Sequence, residues 1–201
     1  MQKNNFEKDK EKNKDLEKDI FYKKIGLETE KNLALSKKVV LNLISKKLLI
    51  SVMESCTGGG LVYYLTNIPG SSGVLKDSFV TYSNEAKIAL GVSEKIINKY
   101  TVYSTEVATA MAETVLKKSV KADIGVGLTG FLVDLDKKNK NPKKDFESII
   151  YLAIKFQDKS KNKSQNKIAS KILKFSADHR FETKQKIIQV VLKMILDFIK
   201  V

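Results

Sequence analysis

The stretch from Leu48 to Leu65 constrains the fold more than any other part of the chain. Leu48 to Met53 is a short apolar run of the length of a buried strand. It leads into Glu54-Ser55-Cys56-Thr57 and Gly58-Gly59-Gly60, after which Leu61, Val62, Tyr63, Tyr64 and Leu65 form a second apolar run. Two apolar runs joined by a glycine-rich turn read as strand, tight turn, helix. That unit belongs to layered α/β proteins, in which helices cover a central sheet.

The remaining segments repeat the alternation. Leu33, Val40, Leu43 and Ile44 recur at helical spacing between Lys31 and Lys47. Pro69 to Gly73 reads as a loop, Val74 to Ser83 as a strand and Asn84 to Leu90 as a short helix. Ser104 is placed to cap a helix whose buried side carries Val107, Met111 and Val115. Ile124–Leu128, Ser148–Phe156 and Ile168–Phe175 read as further strands, and a last helix buries Ile188, Val191, Leu192, Ile195, Phe198 and Ile199. Sites in such folds gather at the carboxyl ends of strands. Three loops are candidates: after Met53, around Tyr82 to Lys87, and after Leu128.

Residues 1–28 are mostly charged and are expected to form a solvated tail or leading helix, with one domain over 29–201. Phe6, Leu16, Ile20, Phe21 and Ile25 form only a weak apolar stripe there. No apolar run approaches the roughly 18 residues that cross a bilayer, and no signal-peptide pattern opens the chain, so a cytoplasmic protein without membrane partners is expected. The single cysteine, Cys56, agrees with a reducing compartment. The formal charge of +14 favours anionic partners. It is carried almost wholly by lysine: Arg180 is the sole arginine and there is no tryptophan. A nucleic-acid groove usually combines arginine with stacking aromatics, so solubility ranks above nucleic-acid binding as the reading of the charge.

Four stretches can carry chemistry. In Glu54 to Gly60, Ser55 stands before glycines at a helix start, where free N–H groups hold an oxyanion or phosphate; a plain serine cap fits the same residues. Cys56 is a second nucleophile by type, but buried free thiols are commonly inert. In Thr81 to Lys87, a lysine serves as the base for a serine when desolvation lowers its pKa. Lys87 would lie in the first turn of a helix begun by Asn84, where the helix dipole acts in the same direction. Tyr82 is placed to relay a proton or hold a substrate ring. In Gly125 to Gly130, a strand runs into small residues, bringing backbone N–H groups and the Thr129 hydroxyl toward a ligand, or simply ending a strand tightly. In Asp178-His179-Arg180, the lone arginine marks a position that needs a planar guanidinium, as phosphate recognition does. His179 reads as a surface residue rather than a base.

These residues together resemble the CinA C-terminal domain family, the nicotinamide-nucleotide amidases. The likeness runs through Glu54-Ser55-Cys56-Thr57-Gly58-Gly59, Pro69 to Ser72, Tyr82-Ser83-Asn84-Glu85-Ala86-Lys87, Leu90-Gly91-Val92 and Val102 to Glu113, and spans roughly residues 31 to 199. It implies a three-layer α/β/α sandwich around a central mixed sheet. It implies hydrolysis of nicotinamide mononucleotide to nicotinate mononucleotide and ammonia, a pyridine-nucleotide salvage step. In that reading Ser55 attacks, Lys87 moves the proton and Tyr82 supports the transfer. Thr57, Gly58, Gly59, Asn84, Thr129, Gly130 and Arg180 bind substrate. No cofactor or metal is implied, and a homo-oligomer is expected.

The chain departs from the pattern after Thr129-Gly130. Where the family continues with Ile-Ala-Gly-Pro and a glycine-rich loop, this chain has Phe131-Leu132-Val133-Asp134-Leu135-Asp136 and then the lysine-rich stretch Lys137 to Lys144. The family's Gly-Asp-Arg is Asp178-His179-Arg180, and a later family arginine is Lys184. Two alternatives therefore stay open: a nucleotide-binding protein of this fold without turnover, and, ranked below it, a competence- or DNA-associated protein.

Overall fold

The computed structural model describes residues 2–133, 147–157, 159, 166–176 and 179–200, with side chains from residue 22 onward. The side chains of Phe6, Leu16, Ile20 and Phe21 lie outside the described residues, as do Asp134, Asp136, the lysines from Lys137 to Lys144, and Asp178.

The strand–turn–helix unit sits at the centre. Strand β1 (Ile50–Glu54) is buried along its whole length, because an apolar core lies on each of its faces. It lies between two parallel neighbours, β2 (Leu75–Val80) and β3 (Ile124–Phe131). Antiparallel β4 (Glu147–Phe156) and β5 (Lys167–Ser176) complete a mixed sheet of order β2-β1-β3-β4-β5. Along β3 the side chains alternate as a strand buried on both faces requires. Ile124, Val126 and Leu128 join the core beneath α1 (Gln2–Lys46), α2 (Gly60–Thr66) and α7 (Arg180–Lys200). Gly125 and Gly127 face α6 (Thr105–Lys118) on the other side. A second core joins Met53 of β1 to Val107, Met111 and Val115 of α6 and to Ile97 of α5 (Glu94–Tyr100). The result is the expected three-layer α/β/α sandwich with a mixed central sheet.

Local differences from the sequence reading have physical causes. Helix α1 is continuous from Gln2 to Lys46, so the charged segment and the first core helix are one element. Its buried stripe is Asn32, Ser36, Val39, Val40 and Leu43, while Ile44 is 43% exposed. The polar members of that stripe hid the periodicity. Asn32 is tolerated because its Nδ2 donates to Gln185 Oε1 of α7 at 2.7 Å, and Tyr64 Oη donates to the same oxygen at 2.6 Å. Two short helices were not expected: α3 (Ser71–Val74), within the stretch read as loop and strand start, and α5. Both are too short to show a helical period.

Candidate active site

Because β1, β2 and β3 are parallel, their carboxyl ends share one edge of the sheet. Ser55 follows β1 directly, Thr81 to Ser83 follow β2, and Phe131 and Leu132 stand at the end of β3. The Thr81 N–H donates to the Glu54 carbonyl at 2.9 Å, which extends the β1–β2 pairing to the rim.

The turn after β1 is shaped by two residues with left-handed backbone, Gly58 at φ 65° and Gly59 at φ 93°. Side chains with a Cβ are strained there. The Gly58 N–H donates to the Ser55 carbonyl at 2.9 Å. Glu54 holds the turn from inside. Its carboxylate is fully buried and accepts from Thr57 Oγ1 at 2.5 Å, Leu61 N at 3.2 Å and Val62 N at 3.3 Å. A buried carboxylate needs such donors, and the opening turn of α2 supplies two of them. Glu54→Gln puts an amide where an acceptor is required, and is expected to destabilise the protein by about 2 kcal/mol in chemical denaturation. It should also loosen Ser55, one residue on, and lower turnover with no change in the pH at which activity rises.

Lys87 lies in the first turn of α4 (Asn84–Leu90), whose cap Ser83 accepts from Ala86 N through its hydroxyl. It is only 1% exposed and is among the largest fully buried side chains. Its Nζ lies 3.2 Å from Ser55 Oγ, 2.8 Å from the Thr81 carbonyl and 3.4 Å from the Ser83 carbonyl. Among the described residues no carboxylate forms an ion pair with it. Burial therefore holds the Lys87 amine below the ordinary lysine value of 10.5. In the neutral amine, two N–H bonds satisfy the two carbonyls and the lone pair is left for the Ser55 hydroxyl proton.

Ser55 and Lys87 open into a cleft of about 280 Å³, lined also by Cys56, Tyr82, Ser83, Asn84, Val102, Tyr103, Thr129, Gly130, Phe131, Leu132 and Arg180. Arg180, the first residue of α7, donates from Nη1 to the Leu132 carbonyl at 3.0 Å and so ties the last helix to the end of β3. Cys56 is buried, and burial, reinforced by the nearby Glu54 charge, pushes its thiol up to about 12. That thiol keeps its proton at any working pH and is a poor nucleophile.

The model of the CinA C-terminal domain matches residues 32–199.

The chain belongs to the CinA C-terminal domain family. A CinA-like protein of Flavobacterium psychrophilum is 45% identical over 109 residues, 53% of this chain and 25% of that protein. A CinA-like protein of Dictyoglomus thermophilum is 49% identical over 94 residues, 46% of this chain and 23% of that protein. The matches thus span about a quarter of the length of these curated relatives. Among solved structures, the competence/damage inducible protein CihA from Agrobacterium tumefaciens superposes with a TM-score of 0.69 at 26% identity, covering 83% of this chain and 94% of that one.

In this CinA domain the cleft brings together Ser55, Tyr82, Asn84, Lys87, Thr129, Gly130 and Arg180 from the residues expected at the site. Thr57, Gly58 and Gly59 do not line it. At the start of α2, Glu54 accepts from the Thr57 hydroxyl and from the Leu61 and Val62 N–H groups, and the Gly58 N–H is bonded to the Ser55 carbonyl. The Thr129 hydroxyl, expected to reach a ligand, donates to the Val102 carbonyl at 3.1 Å. Tyr82 is 65% exposed and is not among the Lys87 Nζ hydrogen-bond partners, so it stands as a wall of the cleft. His179 is exposed and outside the lining. Glu54, Tyr103 and the carbonyls of Thr81 and Ser83 were not anticipated. The position of Tyr103 just before the cap of α6 was the one available signal. Among the described residues, no group of His, Cys, Asp and Glu is placed to hold a metal, and no helix is long and apolar enough to cross a membrane.

Proposed function

We propose that this CinA domain hydrolyses the carboxamide of nicotinamide mononucleotide, releasing ammonia and nicotinate mononucleotide through a Ser55–Lys87 pair. The observation that carries the reading is the 3.2 Å approach of a fully buried lysine to a serine hydroxyl inside a cleft. The neutral Lys87 amine takes the Ser55 proton as Oγ bonds to the amide carbon. The resulting ammonium returns that proton to the amide nitrogen as the C–N bond breaks and ammonia leaves. Water then cleaves the acyl-serine ester, with Lys87 accepting one of its protons and returning it to Ser55 Oγ. The Asn84 amide is one of the neutral donors lining the cleft and would serve the oxyanion. Arg180, in the cleft lining, would give the positive charge that a nucleotide phosphate requires.

Ammonia release from nicotinamide mononucleotide tests the reading. The full chain is expected to turn the nucleotide over, Ser55→Ala to lose turnover by at least about 10³-fold, and Cys56→Ala to retain it. Saturable binding without ammonia would assign the cleft to a nucleotide-binding role. Salt-dependent DNA binding with neither would favour the nucleic-acid reading.

A further inference from the structure

Two aromatic rings at the cleft are half exposed although each has an apolar face to bury: Tyr103 at 47% and Phe131 at 46%. They meet edge to face, with centroids 6.0 Å apart and planes at 72°. Both line the cleft that contains Ser55 and Lys87. Two rings set at such an angle form a corner, in which a flat ligand ring stacks on one and meets the other.

The backbone that carries Tyr103 is held against its own preference. Thr101 adopts φ 64° and ψ 162°, a combination that a β-branched residue avoids. Its carbonyl accepts from Ser104 Oγ at 3.0 Å, and the next carbonyl, of Val102, accepts from Thr129 Oγ1 at 3.1 Å. Ser104 is in turn the cap of α6, accepting from Val107 N at 3.2 Å. Side chains from two elements thus hold a strained residue, and the ring they direct is Tyr103. Thr129 stands two residues before Phe131 on the same strand, so the bond that fixes the Tyr103 backbone also fixes it relative to its partner ring.

The charges in the cleft are one-sided. The described lining residues include Lys87 and Arg180 and no carboxylate. Among the described lining residues, the negative faces of the aromatic rings therefore offer a cation a favourable surface that no carboxylate supplies. We propose that Tyr103 and Phe131 clamp the flat, positively charged ring of the substrate, a pyridinium carboxamide, and set the preference for it over a neutral ring of the same shape. The clamp rests on the amidase reading for its role in turnover, and it is tested as a binding preference.

The probes are nicotinamide mononucleotide and its neutral isostere, the benzamide ribonucleotide, titrated calorimetrically into Ser55→Ala protein. The pyridinium is expected to bind about threefold to tenfold more tightly than the benzene analogue. Tyr103→Leu and Phe131→Leu should each abolish that ratio, while Tyr103→Phe and Phe131→Tyr keep it. A ratio near one in Ser55→Ala protein, or a ratio that survives both leucine substitutions, overturns the clamp. Both positions are half exposed, and a thermal melt of each variant identifies any that fails to fold, in which case the other decides. Ammonia release by the unsubstituted chain is read in parallel. Release together with a ratio that survives both leucine substitutions removes the clamp and leaves the amidase. No release, with a ratio lost on either substitution, removes the amidase and supports the clamp.

Discussion

Lys87→Met is expected to lower ammonia release from nicotinamide mononucleotide by about 10⁴-fold, the range seen when the base of a serine nucleophile is removed. Met fills most of the volume of the lysine stem, so packing around α4 should persist while the amine is lost. Among the described residues that line the cleft, none offers Ser55 a second base. His179 is outside the cleft lining, and the Cys56 thiol is held protonated up to about 12. Added alkylamines of graded pKa offer a check on the role, since partial rescue that follows the amine's basicity identifies proton transfer. A Lys87→Met protein with more than a tenth of the original turnover would remove Lys87 from the mechanism.

The pH profile follows from the same burial. Protonated Lys87 cannot accept the Ser55 proton, so kcat/KM should rise with pH along a one-proton limb. Its midpoint should lie below the ordinary lysine value of 10.5, because burial holds the folded amine there. The stability sign can be worked out from this shift. Between the lowered native pKa and 10.5, the unfolded chain binds a proton that the native chain refuses, so stability rises with pH across that window. Below the native pKa both states carry the proton and the contribution is constant. Cys56 acts in the opposite direction from its ordinary 9.0 up to about 12, since there the native thiol keeps a proton that the unfolded one releases. Substitution separates the two contributions: the rise should vanish in Lys87→Met, and the opposing fall above 9.0 in Cys56→Ala.

The layered fold was legible because its signals are local. The apolar run before Glu54, the glycines after Thr57 and the Ser83–Asn84 helix start each appear where the sequence places them. The pairing of Ser55 with Lys87 needed more, namely that β1 and β2 be parallel neighbours, which no local pattern states. Glu54 shows the limit from the other side. A glutamate before a Ser-Cys-Thr-Gly turn looks like a solvated or catalytic carboxylate. Only the path of α2 shows that it faces inward and accepts from the Leu61 and Val62 N–H groups. Tyr103 and Phe131 were invisible as a pair, because their edge-to-face contact joins the loop before α6 to the end of β3. Glycines after a strand are ambiguous in the same way, since a backbone approached by a ligand and one approached by a helix need the same missing Cβ.

Gly127→Ala distinguishes those two meanings and is expected to have the largest effect on stability of any single methyl group in the chain. A Cβ at Gly127 would lie 2.0 Å from the Ala108 carbonyl oxygen, 2.6 Å from Ala112 N and 3.0 Å from Met111 Cβ. Ala108 and Ala112 are fully buried, and α6 rests on β3 through backbone rather than through long side chains. The helix must retreat by more than an ångström, beyond what rotamer changes absorb, so the loss should exceed the usual overpacking range of about 1–3 kcal/mol. Against a total stability of about 5–15 kcal/mol that is a large share, and the thermal midpoint should fall by roughly 10 °C. Met111→Ala should fail to rescue it, because the closest clash is with main-chain oxygen. Gly60→Ala is the contrast: its closest contact is the tip of Ile188, Cδ1 at 2.9 Å, which can turn aside, and the cost should stay below about 1 kcal/mol. The effect also reaches the cleft. Retreat of α6 carries Ser104 with it and pulls Val102 from Thr129, so the folded fraction of Gly127→Ala should lose substrate affinity while Ser55 and Lys87 remain 3.2 Å apart. Thermal melts and a KM measured on the folded fraction check both parts. A Gly127→Ala protein as stable as the original would show that α6 does not rest on this strand.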